Sequence, residues 1–155
     1  MRLLICFLSL TLVSCSSSSE SANSPNGAPA DAKAVLDKAA AEPGATRTPS
    51  GLVYRELRAG TGESPKASDA VTVNYRGTLP DGTEFDSSYK RNEPAQFPLN
   101  QVIPCWTEGL QKMRVGGKSR LVCPASLAYG ERGAPPDIPG GATLIFEVEL
   151  LAIGH

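Results

Sequence analysis

Residues 71–86 constrain the fold more than any other part of the chain. They read VTVNYRGTLPDGTEFD, in which apolar and polar residues alternate up to the turn sequence PDG, after which TEFD returns. This arrangement predicts a β-hairpin with one buried face. The pattern places Tyr75 on that face, and the return strand brings Phe85 and Asp86 close to it. The hairpin therefore predicts an aromatic pocket that contains one carboxylate.

The rest of the chain indicates more strands than helices. Strand patterns occur at residues 52–57, 118–122 and 144–150. Apolar residues recur at helical spacing across residues 103–113, so one short amphipathic helix is expected to lie on the sheet. The predicted fold class is α+β, with an antiparallel sheet wrapped around one short α-helix.

The N-terminus predicts a lipoprotein signal peptide over residues 1–14. It has one cation, Arg2, and an apolar run too short to cross a bilayer as a helix. The sequence LVSC that follows resembles the lipobox of bacterial lipoproteins, which implies a lipid on Cys15 and attachment to a membrane. The alternative is an ordinary signal peptide with an incidental cysteine. Ser16 resembles outer-membrane sorting more than inner-membrane retention.

Residues 15–47 are expected to connect this leader to the folded domain. They begin with a tether rich in Ser, Asn, Pro and Gly, followed by the Ala-rich sequence ADAKAVLDKAAAE, which is compatible with a short helix. The helix is interpreted as a spacer, with dimerisation as the alternative. Residues 48–155 are expected to form one folded domain, and the protein is expected to be a monomer.

Composition argues against several classes of function. The formal net charge is −1, so no cationic field is expected to hold a nucleic acid. The only histidine, His155, is the last residue, where no scaffold can hold it for triad hydrolysis. Cys6 lies in the leader and Cys15 is assigned to the lipid, which leaves too few ligands for a metal site. No metal and no cofactor are therefore expected.

Cys105 and Cys123 are the remaining cysteines. The first lies on the predicted helix and the second at the end of a strand that should pack near it, in a compartment that permits oxidation. A disulfide is expected, and closing that loop would contribute about 3 kcal/mol. The alternative is two reduced cysteines that pack as small apolar residues.

The predicted pocket suits a reaction that needs no nucleophile, metal or cofactor. Its expected lining is Tyr75, Phe85, Val102, Ile103, Trp106, Tyr129 and Phe146. Rotation about the bond before proline is such a reaction, and its barrier of about 18–20 kcal/mol comes from amide resonance. Twisting removes the charge separation of that resonance, so an apolar pocket with fixed donors favours the twisted imide. Each aromatic residue taken singly could equally be a core residue.

From about residue 48 to 153 the chain resembles the FKBP-type peptidyl-prolyl cis-trans isomerases, most closely the bacterial secreted lipoprotein branch that is macrophage infectivity potentiator-like. The matching runs are VTVNYRGTLPDGTEFDSSY, QVIPCWTEGLQKM, VGGKSRLVCPASLAYGERG and IPGGATLIFEVELL. The resemblance implies a curved antiparallel sheet of about five to six strands around one short helix. It also implies that the substrate's proline ring rests on the indole of Trp106.

The same resemblance implies roles for individual residues. Asp86 would lie beside the twisting carbonyl, Ile103 would offer its backbone N–H, and Tyr129 would donate its hydroxyl. Asp86 can also be interpreted as a structural carboxylate paired with Tyr75 or Arg91. The implied catalytic set is Tyr75, Phe85, Asp86, Trp106, Tyr129 and Phe146, and the implied substrate-binding set is Val102, Ile103, Arg91, Phe97 and Ile138.

The chain also departs from the family pattern. Ala95 replaces an aromatic residue and is expected to open one side of the groove, and Ala134 stands where a histidine is common. The sequence PPD at 135–137 replaces a more apolar loop tip, and Cys105 occupies a usual glycine position.

The expected function is that of an envelope foldase that accelerates X-Pro rotation in proline-containing polypeptides. Lipid attachment would place it in the cell envelope of a bacterium, at the outer membrane and facing the periplasm or the surface. Macrolide inhibitors are a further expected ligand class. The alternatives are a proline-directed holdase or host-interaction lipoprotein with little turnover, and a structural envelope lipoprotein.

Overall fold

The computed structural model describes residues 29–154. In this range the chain forms one antiparallel sheet of seven strands, together with three α-helices and three short 3-10 turns. The strands are β1 (Ala45–Arg47), β2 (Val53–Arg58), β3 (Ala70–Thr78), β4 (Glu84–Ser87), β5 (Ala95–Pro98), β6 (Lys118–Cys123) and β7 (Leu144–Gly154). The helices are α1 (Pro29–Ala40), α2 (Ser88–Arg91) and α3 (Pro104–Gln111). The strand order is β1-β2-β6-β7-β3-β4, and β5 also pairs with β3.

Strand β3 is the centre of the fold. Its residues alternate between buried and less buried positions, as the sequence pattern predicts for a strand with one face in the core. Along one side it pairs with β7 from Ala70 to Thr78. Along the other side it pairs with β4 near its C-terminal end and with β5 near its start. The pocket residues of three different segments are thereby brought to one strand.

Helix α3 packs on the core face of the sheet. Pro104 begins the helix, where its missing N–H costs no hydrogen bond and its fixed φ suits the first turn. At Gly109 an added Cβ would lie 2.8 Å from the side chain of Leu121 on β6. The absence of a side chain at this position therefore lets the helix approach the sheet closely.

Helix α1 packs against the opposite face of the sheet. Its buried residues Leu36 and Ala39 form a second apolar cluster with Val53 of β2 and Val122 of β6. Just after the helix, Glu42 makes ion pairs with Arg55 and Arg120 of the same two strands. The helix that was interpreted as a spacer is therefore part of the folded unit in this structure, and so is β1, which precedes residue 48 and pairs with β2.

The predicted α+β class, the hairpin and the helix at α3 are confirmed. Two short strands, β1 and β5, and the one-turn helix α2 were not predicted. The signal peptide, Cys15, most of the tether and His155 lie outside the described residues. Within residues 29–154, no helix combines the length and apolarity needed to cross a membrane.

Candidate active site

A cavity of about 640 Å³ opens on the side of the sheet that carries α3. Its lining comes from β3, β4, β5, the start of α3, β7 and the loop between β6 and β7. The lining residues are Tyr75, Phe85, Asp86, Phe97, Gln101, Val102, Ile103, Trp106, Tyr129, Ala134, Asp137, Ile138 and Phe146.

Trp106 is the central aromatic residue of the cavity. Its indole is 4% exposed and is contacted edge-on by three rings. The centroid distances are 5.1 Å to Tyr75, 5.5 Å to Phe97 and 5.3 Å to Phe146. Perpendicular packing of this kind fixes the ring orientations, and Trp106 remains part of the cavity lining. The buried Nε1 of Trp106 has no hydrogen-bond partner among the described residues.

Gly77 makes room for two walls of the cavity. It lies on β3 directly opposite Phe146 of β7 and Asp86 of β4. A Cβ at this position would lie 2.5 Å from Cζ of Phe85 and 2.9 Å from Cε1 of Phe146. These two rings therefore cover the glycine, and they pack edge-on against each other with centroids 5.5 Å apart.

Asp86 is held by three hydrogen-bond donors. The hydroxyl of Tyr75 donates to Oδ2, while a guanidinium N–H of Arg91 and the backbone N–H of Ser87 donate to Oδ1 at 2.6 and 2.8 Å. Arg91 also donates to the Tyr75 hydroxyl at 2.9 Å, and its guanidinium carbon lies 5.7 Å from the centroid of the Tyr75 ring. Arg91 is brought there by α2, which turns the chain back immediately after β4.

These contacts determine the protonation states of Asp86, Tyr75 and Arg91. Partial burial acts to raise the pKa of Asp86, but the hydrogen bonds from Tyr75 and Arg91 outweigh it and hold that pKa below its ordinary value. Burial, together with the neighbouring carboxylate, raises the pKa of Tyr75. The hydrogen bonds to Tyr75 and Asp86 raise the pKa of Arg91. At neutral pH the cluster is therefore a neutral phenol between a carboxylate and a guanidinium.

Two polar groups at the cavity are free to meet a ligand. Ile103 has an extended backbone just before α3, and its carbonyl accepts from the N–H of Trp106 at 2.9 Å, but its own N–H has no partner among the described residues. The side chain of Tyr129 is 41% exposed, and its hydroxyl makes no hydrogen bond within that part of the chain. Both residues line the cavity.

A short hairpin borders the cavity beside Tyr129. Ala134 and Ile138 exchange backbone hydrogen bonds at 2.9 and 3.0 Å, which places the sequence PPD at the tip. Ile138 is buried against the core, whereas Asp137 is exposed and lines the cavity. Gly133, at φ +64°, begins this hairpin, and a Cβ there would lie 2.4 Å from the carbonyl oxygen of Ile138. Only glycine fits this turn without displacing the backbone.

The disulfide partners lie under the cavity. Cys105 and Cys123 are fully buried and joined in a disulfide, with their Cα atoms 5.8 Å apart. The bridge ties the first turn of α3 to the end of β6, immediately next to Trp106. It therefore links the segment that carries the indole to the sheet.

The structure brings nearly all of the sequence-predicted site residues together. Of the predicted catalytic and substrate-binding residues, only Arg91 is not part of the lining, and it contacts the cavity through Asp86 and Tyr75. Sequence reasoning missed Gln101, which has no feature that distinguishes it from a surface residue except its position before Val102. Ala95 lies on β5 opposite Val73, where it packs against the core and is not part of the cavity lining. Across residues 29–154, no three His, Cys, Asp or Glu side chains are gathered as a metal would require.

Residues 61–151 match the family described as FKBP-type peptidyl-prolyl cis-trans isomerase. The fold and the aromatic cavity agree with this match, and the chain belongs to that family. It is 53% identical over 124 residues to the FKBP-type peptidyl-prolyl cis-trans isomerase FkpA of Escherichia coli K12, which covers 80% of this chain and 46% of that protein. It is 49% identical over 112 residues to the peptidyl-prolyl cis-trans isomerase Mip of Coxiella burnetii RSA 493, covering 72% and 49% of the two.

Solved structures agree with these relatives. The crystal structure of FkpA from Escherichia coli superposes with a TM-score of 0.78 at 53% identity, covering 81% of this chain and 58% of that one. A peptidyl-prolyl cis-trans isomerase from Pseudomonas syringae superposes with a TM-score of 0.76 at 38% identity, covering 84% and 99%. The chain spans about half the length of the curated relatives named above.

Proposed function

We propose that this protein is a peptidyl-prolyl cis-trans isomerase that accelerates rotation about X-Pro bonds in other polypeptides. The observation that carries the proposal is the open cavity in which three aromatic rings stand nearly perpendicular to the indole of Trp106. A pyrrolidine ring is apolar and flat enough to rest on that indole. The partnerless N–H of Ile103 and the hydroxyl of Tyr129 lie at the same cavity, where they can bind the carbonyls that flank the proline.

The proposed mechanism is a difference in binding between the planar and the twisted imide. Amide resonance places charge on oxygen and nitrogen in the planar form, and water stabilises that charge. An apolar cavity removes water and therefore favours the twisted form, in which the conjugation is broken. A donor such as the Tyr129 hydroxyl, fixed where the rotated carbonyl arrives, adds to the difference. No covalent step is needed.

We assign the residues to the following roles. The ring walls are Phe85, Phe97 and Phe146, and Tyr75 adds its ring while its hydroxyl holds Asp86. Val102 and Ile138 complete the apolar lining beside the substrate chain. Arg91 is a positioning residue, since it reaches the cavity only through the two groups that it binds. Macrolide inhibitors would occupy the same cavity.

We further propose that the protein is a lipid-anchored foldase of the bacterial cell envelope. The support is the sequence of residues 1–15, in which an apolar leader ends in LVSC. Cys15 would carry the lipid at the outer membrane, and residues after it would tether a monomeric isomerase unit that includes α1 and β1. Labelling with radioactive palmitate tests the anchor, because incorporation should disappear in Cys15→Ala. Label that persists in this variant would contradict the anchor.

The isomerase function is tested by measuring X-Pro exchange in peptides by NMR line shapes or exchange spectroscopy. Wild-type protein should accelerate exchange well above buffer. Asp86→Leu and Phe146→Ala should each lower kcat/KM, since the first breaks the hydrogen bonds that hold Tyr75 and the second removes a wall of the cavity. Glu56→Gln, an exposed residue of β2 outside the cavity, is the matched control and should retain the wild-type rate. Peptide that binds without faster exchange would identify a binding protein of low turnover instead of an enzyme.

A further inference from the structure

The charged residues that line the cavity are all acidic. Two of its lining residues, Asp86 and Asp137, are acidic, and none is Lys or Arg. The charge of Asp86 is balanced by Arg91 at 2.6 Å. Asp137 is exposed at the tip of the hairpin and takes part in no hydrogen bond or ion pair among the described residues. Arg132, the cation nearest to it in sequence, neither pairs with it nor lines the cavity.

A second, more open cavity continues this pattern. It holds about 530 Å³ and shares Val102 with the first cavity, so a peptide that leaves the prolyl site across this residue would enter it. Its only charged lining residue is Glu108, and the rest are polar or apolar. The linings of the two cavities therefore include two acidic residues, Asp137 and Glu108, that have no basic partner among the described residues, and Glu108 accepts a hydrogen bond from Ser50. The formal charge of the whole chain is only −1, so this is a local field.

We infer that this isomerase selects prolyl segments that carry Lys or Arg next to the proline and discriminates against those that carry Asp or Glu, and that Asp137 is the residue that sets this preference. The inference rests on the proposed isomerase function. A cationic side chain that leaves the apolar cavity beside the hairpin meets a carboxylate with no other partner. An anionic side chain in the same position meets repulsion, and no Lys or Arg lines the cavity to offset it.

The expected size of the effect follows from the exposure of Asp137. Exposed ion pairs typically contribute about 0.2–1 kcal/mol, which corresponds to a change of about 1.4- to fivefold in kcat/KM. Such an interaction is screened by salt. The preference should therefore be clear at low ionic strength and small at about 1 M salt, where the Debye length is about 3 Å.

The test uses the full chain, purified in detergent, and two series of prolyl peptides. One series carries Lys, Leu or Glu before the proline, and the other carries the same residues after it. Exchange is followed by NMR, because a coupled protease would add its own preference for the flanking residue. We expect the Lys peptide of at least one series to exceed the matching Glu peptide by about 1.4- to fivefold in kcat/KM at low salt.

The variant Asp137→Asn should bring this Lys-to-Glu ratio close to one, while Glu56→Gln should leave it as in the wild type. High salt should reduce the ratio in the wild-type protein, a readout that does not depend on any variant. Equal rates for Lys and Glu peptides in both series would overturn the inference, and so would a preference that survives Asp137→Asn. If none of the peptides, including the neutral Leu peptides, is accelerated, the proposed isomerase function itself fails. Failure of the charge preference alone leaves the Leu peptides accelerated, so the two outcomes can be distinguished.

Discussion

Replacing Gly77 by Ala should displace two walls of the cavity, although Gly77 does not itself line it. The added Cβ would lie 2.5 Å and 2.7 Å from two atoms of the Phe85 ring and 2.9 Å from Cε1 of Phe146. Carbon atoms pack best at about 3.5–4.0 Å, so the contact edges of both rings must move by roughly 1 Å. Neither ring can move independently, because they pack on each other and Phe146 packs on Trp106.

The magnitude follows from this geometry. Overpacking a core position typically costs about 1–3 kcal/mol of unfolding free energy. A displacement of about 1 Å in a reacting site can cost about 100-fold in rate. We therefore expect Gly77→Ala to lose about 10- to 100-fold in kcat/KM while remaining folded.

The assay combines NMR exchange of a prolyl peptide with urea denaturation of the same preparation, at a temperature where the variant is folded. Gly154→Ala is the matched control. A Cβ there has its nearest heavy atoms at 3.5 and 3.7 Å, an ordinary contact distance, so rate and stability should stay close to wild type. The reasoning is refuted if Gly77→Ala keeps the wild-type kcat/KM, because the two rings would then not need their present positions.

Three further predictions concern stability. Burial acts to raise the pKa of Asp86, but its hydrogen bonds lower that pKa by more, so in the folded protein it lies below the ordinary value of 3.8. The carboxylate therefore stabilises the fold above pH 3.8, and this stabilisation is lost as the pH falls through the pKa of Asp86 in the folded protein. In denaturation between pH 6 and pH 2 the wild type should therefore lose more unfolding free energy than Asp86→Asn, and equal losses would count against the hydrogen-bonded cluster. Cys105→Ala combined with Cys123→Ala should cost about 3 kcal/mol, since the bridge closes a loop of 18 residues; a reduced wild type of unchanged stability in urea would contradict this. Leu36→Ala should cost about 2–5 kcal/mol in urea denaturation at unchanged kcat/KM, because α1 packs on the face away from the cavity, and no loss would mean that α1 is not docked in solution.

Local patterns in the sequence were sufficient for the elements that form the core. Strands β3 and β7 alternate clearly, and the helical spacing of α3 follows a proline that suits a first turn, so each could be located from nearby residues alone. The short strand β5 could not, because AQFP has no alternation and ends in proline. It becomes a strand because β4 pairs only with the C-terminal end of β3. The N-terminal half of the same edge of β3 is then available to pair with β5.

The same distinction holds for the site. Aromatic residues in the motifs that resemble the FKBP-type family predicted most of the cavity lining, since large apolar rings at core-facing positions are normally buried. Gln101 and the steric role of Gly77 depend on how segments far apart in sequence are packed, and nothing in their neighbours signals it. The docking of α1 was missed for a related reason. In the sequence, Leu36 and Ala39 give the helix too small an apolar face to predict packing, and their partners on β2 and β6 become apparent only in the folded structure.

The two carboxylates of the cavity contribute in different ways, and salt should separate them. A general base needs a pKa near the working pH, and that of Asp86 is lowered, while three donors already occupy most of the lone pairs of its carboxylate. Its contribution is to fix the ring of Tyr75 against Trp106, a packing effect that salt screens little. Asp137 fixes nothing and has no partner among the described residues, so it acts only through its field. Raising the ionic strength should therefore remove the discrimination between charged substrates while the turnover of a neutral prolyl peptide is retained.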